Sequence, residues 1–148
     1  MATQQKTIMN LLSPTDYQHY ITLLNEFRTT NISYEEFANI LHQINETGTT
    51  FVYVLREKED GGPIIGTAKL LIEHKFYHGG KNVGHIEDVI VKSTHRGKKY
   101  GSILIKQLTD IATLLDCYKV ILYCNSELVP FYNKLGFDHN QSAMINYI

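Results

Sequence analysis

At Thr50 the spacing of apolar residues switches from a helical period to a strand period. Such a switch limits the chain to folds that combine helices with a sheet. Ahead of it, Ser13-Pro14-Thr15-Asp16 reads as a helix start, with serine as cap, proline in the first turn and an acid at the third position. Tyr17, Tyr20, Ile21, Leu24 and Phe27 follow at helical spacing. Ser33-Tyr34-Glu35-Glu36 is a capping box that opens a second helix through Phe37, Ile40, Leu41 and Ile44, and Gly48 closes it.

Residues 50–57 are β-branched and aromatic, the turn Asp60-Gly61-Gly62-Pro63 follows, and 64–73 complete a hairpin. Gly79-Gly80-Lys81-Asn82 is another turn, and 85–91 read as a third strand. A basic loop over 92–101 leads into a helix over 101–115, whose Ile103, Leu104, Leu108, Ile111, Ala112 and Leu115 make one apolar face. The near-continuous apolar run 118–124 reads as a strand covered on both faces. A short helix over 128–135 stops at Gly136, and 137–148 read as a last strand. The order ααβββαβαβ predicts an α/β fold with a mixed central sheet, an antiparallel meander followed by a βαβ crossover.

The 148 residues predict a single domain, 1–148. A formal net charge of -1 gives no field that would recruit nucleic acid. No apolar run approaches the ~20 residues of a membrane span, and the polar start 1–6 lacks a signal core. These features predict a cytoplasmic protein, in which the sequons at Asn31, Asn45 and Asn140 are chance. Cys117 and Cys124 bracket the expected strand. At strand rise they stand ~23 Å apart, which predicts two buried free thiols rather than a disulfide. His74 and His78 lie in a strand-and-loop context with no completing ligands, so no metal is expected.

The segment His95-Arg96-Gly97-Lys98-Lys99-Tyr100-Gly101 lies between a strand and a helix. A helix start offers unpaired N–H groups and the positive end of a dipole, and so forms an anion site. Glycines at 97 and 101 allow a close turn, and Arg96, Lys98 and Lys99 add charge suited to phosphate. The loop lacks the Gly-Lys-Ser/Thr ending of a Walker loop and the Gly-x-Gly-x-x-Gly of dinucleotide folds. A diphosphate bound here therefore belongs to another carrier.

Strand, Arg-Gly-x-x-x-Gly loop, helix and strand, closed by Phe131-Tyr132-x-Lys134-x-Gly136-Phe137, resemble the GNAT N-acetyltransferase superfamily. Four blocks narrow the resemblance to its eukaryotic glucosamine-6-phosphate N-acetyltransferases. They are Ile72-Glu73-His74-Lys75-Phe76-Tyr77-His78, Ile86-Glu87-Asp88-Val89-Ile90-Val91, Arg96-Gly97-Lys98-Lys99-Tyr100-Gly101 and Cys117-Tyr118-Lys119-Val120.

The resemblance implies acetyl-CoA as co-substrate. Its pantetheine arm would lie along Val89, Ile90 and Val91, and its pyrophosphate on Arg96 to Ser102, that is Arg96, Gly97, Lys98, Lys99, Tyr100, Gly101 and Ser102. Phe131, Tyr132 and Lys134 would complete the cofactor site, with the Tyr132 phenol donating to the leaving sulfur. Glu87 and Asp88 would orient the acceptor amine and accept its proton. As neighbours in a regular strand they should project to opposite faces, one of them inward. Lys75, His78, Tyr118 and Lys119 would bind the phosphate of an amino sugar, and the family implies a homodimer with a shared site.

Departures from the family pattern are Tyr123 where an acid usually stands and Asn146 where an arginine usually lies. Arg28, with Thr29 or Thr30, is expected to supply the missing cation and a donor to the sugar. The expected reaction is acetylation of glucosamine 6-phosphate on the route to UDP-N-acetylglucosamine. The alternatives are an acetyltransferase for a peptide or polyamine, or a CoA-binding module without catalysis.

Overall fold

The computed structural model describes residues 6–57 and 62–148, so Asp60 and Gly61 of the expected hairpin turn lie outside the described residues. Strands β1 (Thr7–Leu11), β2 (Thr50–Glu57), β3 (Ile64–Glu73), β4 (Asn82–Val91) and β5 (Cys117–Leu122) form one sheet in chain order. Neighbours are antiparallel from β1 to β4, while β5 runs parallel to β4. A parallel neighbour requires a crossover, which α3 (Tyr100–Leu114) provides. Helices α1 (Tyr17–Asn25) and α2 (Tyr34–Glu46) cover the opposite face, and α4 (Val129–Asn133) follows β5.

The central strands carry apolar residues on consecutive positions because both faces are covered. Val54 and Leu55 are both fully buried, Val54 with Leu23, Phe37 and Leu41 of α1 and α2, Leu55 with Leu104 and Leu108 of α3. Each such side chain contributes roughly 1.5–3 kcal/mol, so the helices are held by the sheet rather than by their own propensity. The capping box at α2 forms as expected, with the Glu36 N–H donating to Ser33 Oγ at 3.2 Å and the Ser33 N–H to Glu36 Oε2 at 2.7 Å. At the first helix, Pro14–Asp16 make a single tight turn before α1. Asp16 then leaves the surface, where it accepts from Arg56 Nη2 at 2.5 Å and pins α1 to β2.

Strand β4 holds a bulge that sets up the site. Thr67 pairs with Ile90 and Lys69 with Glu87, so Asp88 and Val89 together oppose Ala68. Asp88 takes the left-handed conformation, φ 53°, that this extra residue requires. Ile86 and Val89 consequently both pack against the α3 side. Glu87 and Asp88 therefore share the α1 side, correcting the expectation that the two acids project to opposite faces.

Four further expectations change. Strand β1 was absent from the sequence reading, because five half-buried residues at a polar terminus carry too little pattern. Residues 137–148 form no strand: Met144, Ile145, Tyr147 and Ile148 are exposed and no ladder satisfies their backbone. Strand β5 is the sheet edge and only half-buried, not covered on both faces. Cys117 is partly buried but Cys124, beyond the end of β5, is exposed, and both thiols are free. No helix among the described residues is long and apolar enough to cross a membrane.

Candidate active site

Beyond the bulge, β4 loses one neighbour. Its pairing with β5 ends at Ile86 opposite Leu122, while β4 itself continues to Val91. Among the described residues, one backbone edge over 89–91 is left without a strand partner, the geometry to which an extended ligand adds as a strand. After β4 the chain turns through Gly97, φ 76°, and Lys99, φ 69°, into α3. No side chain caps α3, and its ladder begins with the Ile103 N–H donating to Lys99 C=O at 3.0 Å. The N–H groups of Gly101 and Ser102 precede that bond and, with the helix dipole, favour an anion.

Side chains around this turn divide by role. Arg96, Lys98, Lys99 and Lys134 are exposed, and Arg96 Nε donates to Val91 C=O at 3.1 Å, fastening the loop to the end of β4. Tyr100 is buried, and its hydroxyl donates to Glu57 at 2.6 Å. That bond, followed by burial, holds its phenol above the usual range. His95 Nε2 lies 3.5 Å from the same carboxylate. The Tyr100 side chain thus braces the loop from behind and leaves its backbone to face an anion. At Gly101 an added Cβ would stand 3.4 Å from the Phe131 ring and 3.7 Å from Val91. Both are ordinary contact distances, so the first turn of α3 lies directly against α4, and Gly97 supplies the turn itself.

Tyr132 sits in the same apolar cluster, in edge contact with Phe131 and Phe137 at 4.9 and 5.9 Å. Burial first, and the neighbouring Cys124 second, raise its phenol above the usual value. A phenol so placed keeps its proton and is available to donate it.

On the α1 side of the sheet, Glu87 lines a pocket of about 360 Å³ with Thr49, Thr50, Leu71, Ile72, Glu73 and His85. Glu87 has no hydrogen bond or ion pair among the described residues, while Asp88 lies 3.4 Å from Lys69. Two residues of this pocket were not singled out in the sequence, Glu73 and His85. His85 shares its strand face with Glu87, a signal available from two-residue periodicity alone.

The four residues expected at a phosphate converge across the β3–β4 loop and β5. His78 stacks on Tyr118 at 4.1 Å, and Lys119 Nζ lies 5.5 Å over the same ring. Lys75 Nζ lies 5.5 Å over Tyr77 and bonds Glu73. The cationic cluster therefore runs into the Glu87 pocket through Glu73. Arg28 lies instead in the α1–α2 connection, 5.4 Å over the Phe27 ring, and Thr29 beside it is exposed. Thr30 is partly occupied, its hydroxyl donating to Arg28 C=O at 2.9 Å. Tyr123 is exposed just past β5, and Asn146 lies on the exposed tail.

Comparison with known proteins gives this geometry a family. The profile of the Acetyltransferase (GNAT) family matches residues 8–137. The chain belongs to the GNAT acetyltransferase family. The glucosamine 6-phosphate N-acetyltransferase of Trypanosoma brucei brucei is 37% identical over 138 residues, covering 92% of this chain and 92% of that protein. The enzyme of that name from Arabidopsis thaliana is 36% identical over 129 residues, 86% of this chain and 87% of that one. A crystal structure of a Trypanosoma brucei acetyltransferase matches with a TM-score of 0.88 at 35% identity, covering 97% of this chain and 100% of that one. In this GNAT chain the expected cofactor residues thus gather where β4 and β5 part. The expected acceptor residues lie apart from them: Glu87 and Asp88 on the α1 side, Lys75 beside Glu73, and His78, Tyr118 and Lys119 where the β3–β4 loop meets β5.

Proposed function

We propose that the chain transfers the acetyl group of acetyl-CoA to the 2-amino group of glucosamine 6-phosphate. The product, N-acetylglucosamine 6-phosphate, leads toward UDP-N-acetylglucosamine. The observation that carries the reading is the cluster of Lys75, His78, Tyr118 and Lys119 joined through Glu73 to the Glu87 pocket. A phosphate at one end and an amine at the other match an amino-sugar phosphate in both charge and order. Relatives at 36–37% identity carry this activity in their names.

Acetyl-CoA supplies a thioester, an acyl group activated toward amines. The donors ahead of Ile103 and the Arg96, Lys98 and Lys99 charges suit its pyrophosphate, and the unpaired β4 edge over 89–91 suits its pantetheine arm. Tyr132 holds a proton where the sulfur departs. Glu87 and Asp88 orient the amine, and Arg28 with Thr29 or Thr30 reaches the sugar from the α1–α2 connection. Holding both reactants in line supplies much of the rate. The acceptor site is read as shared within a homodimer, since the apolar tail that carries Asn146 and the free edge of β5 are both uncovered in one chain. The domain spans 1–148, and the two free thiols suit a cytoplasmic setting.

Thiol release from acetyl-CoA tests this directly. Glucosamine 6-phosphate is expected to stimulate it strongly and unphosphorylated glucosamine at least ~10-fold less, the cost of one charge-assisted contact. No stimulation by the sugar phosphate, or a response only to a polyamine or peptide, overturns the reading. Arg28→Ala is expected to raise the KM for glucosamine 6-phosphate about tenfold, and an unchanged KM removes Arg28 from the site.

A further inference from the structure

An amine that attacks a thioester must first lose a proton, and Tyr123, at a position the resembled family fills with an acid, offers no carboxylate to take it. The pocket beside Glu87 contains a different acceptor. His85 Nε2 lies 2.7 Å from Glu73 Oε2, and the other Glu73 oxygen is held by Lys75. A carboxylate can only accept, so this bond places the ring proton on Nε2 and leaves a lone pair on Nδ1 in the neutral imidazole. Nδ1 has no hydrogen bond among the described residues.

We propose that His85, oriented by Glu73, is the proton-accepting residue of the acceptor site, taking the proton that the resemblance assigns to Glu87 and Asp88 and leaving them to orient the amine. The inference rests on the reading of this pocket as the acceptor site. His85 and Glu87 occupy the same face of β4 two positions apart, roughly 7 Å along the strand, a gap that the amine held at Glu87 and one water together span. The step balances simply. The ammonium of the bound amino sugar gives one proton through that water to His85 Nδ1, leaving a neutral amine whose lone pair is free to attack. The imidazolium is stabilised by Glu73 and returns the proton to solvent, to which the half-exposed Glu73 side chain opens.

The charged groups around His85 favour this cycle. Glu73 on β3 and Glu87 on β4 stabilise the imidazolium, while Lys75 opposes it but is neutralised by Glu73. From β5 the register sets Ile121 opposite His85 and Lys119 opposite Val83, one position away on the same face.

Two measurements on the full chain test the assignment. With nitrogen-15 histidine, the His85 signal, identified by its loss in His85→Gln, should report the Nε2–H tautomer and shift on addition of glucosamine 6-phosphate. A signal indifferent to saturating sugar phosphate overturns the proposal. In thiol release, His85→Ala should lose about 100-fold in kcat, the scale of general-base catalysis, with the KM for acetyl-CoA unchanged and activity partly restored by added imidazole. His85→Gln keeps a donor to Glu73 without a base, and should lose as much while melting like wild type. Either variant retaining kcat within about threefold of wild type, well short of that scale, overturns the proposal, as does loss in His85→Ala that imidazole does not rescue. If wild type instead ignores glucosamine 6-phosphate but acetylates another amine, the sugar reading fails, and the same variants judge His85 with that amine.

Discussion

The two halves of β4 are built from similar apolar residues and do opposite work. Over 82–86 the strand is hydrogen-bonded to β3 on one side and β5 on the other, and its polar side chain His85 faces the pocket on the α1 side. Over 89–91 it keeps only β3, and its free edge leads into the loop before α3. Between them lie Glu87 and the left-handed Asp88. A strand paired on both sides has no backbone left for a ligand and must act through side chains, whereas a strand paired on one side can bind through backbone alone. One extra residue thus separates the half proposed to serve the acceptor from the half proposed to serve the donor.

Removing that residue is the strongest way to break the contrast. Deleting Asp88 leaves Val89 alone opposite Ala68, so regular pairing returns with Val89, Ile90 and Val91 on the faces they already occupy. Ile90 is buried among α1 and α2, while Val89 and Val91 lie against the α3 cluster. Their packing is kept, so the deletion should leave stability within about 2 kcal/mol of wild type but remove the bend and abolish activity, read by denaturant unfolding and thiol release. Asp88→Gly keeps the bulge with a residue that favours positive φ, and should leave stability within about 1 kcal/mol of wild type. If the deletion variant keeps the activity of Asp88→Gly, the bulge does not divide the strand.

How much of this was visible in the sequence follows the range of the interactions. The capping box at Ser33 and Glu36 is local, and so was legible. The bulge was not, because it exists only in the register between Thr67 and Ile90, partners far apart in sequence. The chemistry of the loop over 95–101 was legible, but not that Tyr100 turns inward to Glu57 or that Gly101 lies against Phe131. Those are tertiary contacts with no local signature. His85 was overlooked for another reason: its meaning depends on Glu73, and only the folded sheet brings the pair to 2.7 Å.

The donor half is sharpened by Tyr132→Phe, which removes the proton donor and leaves the ring packed on Phe131 and Phe137. A fall of about 100-fold in kcat with KM values little changed is expected. Because burial and Cys124 raise its phenol, loss of this donor in wild-type kcat should set in at a higher pH than an ordinary tyrosine would give. A Tyr132→Phe kcat equal to wild type would reassign the donor. Next in size is Arg96→Ala, which removes a cation and the bond to Val91 C=O. The KM for acetyl-CoA should rise about tenfold while that for the amine stays constant. A rise in both means that the halves communicate through the loop.

The smallest effect lies in the acceptor half and concerns pH. Hydrogen bonds from Lys75 and His85, in that order, hold the Glu73 carboxyl below its ordinary value. A group whose folded value lies below its unfolded value binds protons more weakly in the native state. Its stabilising contribution is therefore complete above the ordinary carboxylate value and disappears as pH falls through the lowered one. Glu73→Gln should accordingly melt slightly below wild type near neutral pH, and the gap should close in acid. The gap stays small because the carboxylate is well exposed to solvent, which screens both partners. A large gap at neutral pH, or one that persists in acid, would mean that Glu73 braces the acceptor half by packing, and that its charge is not what orients His85.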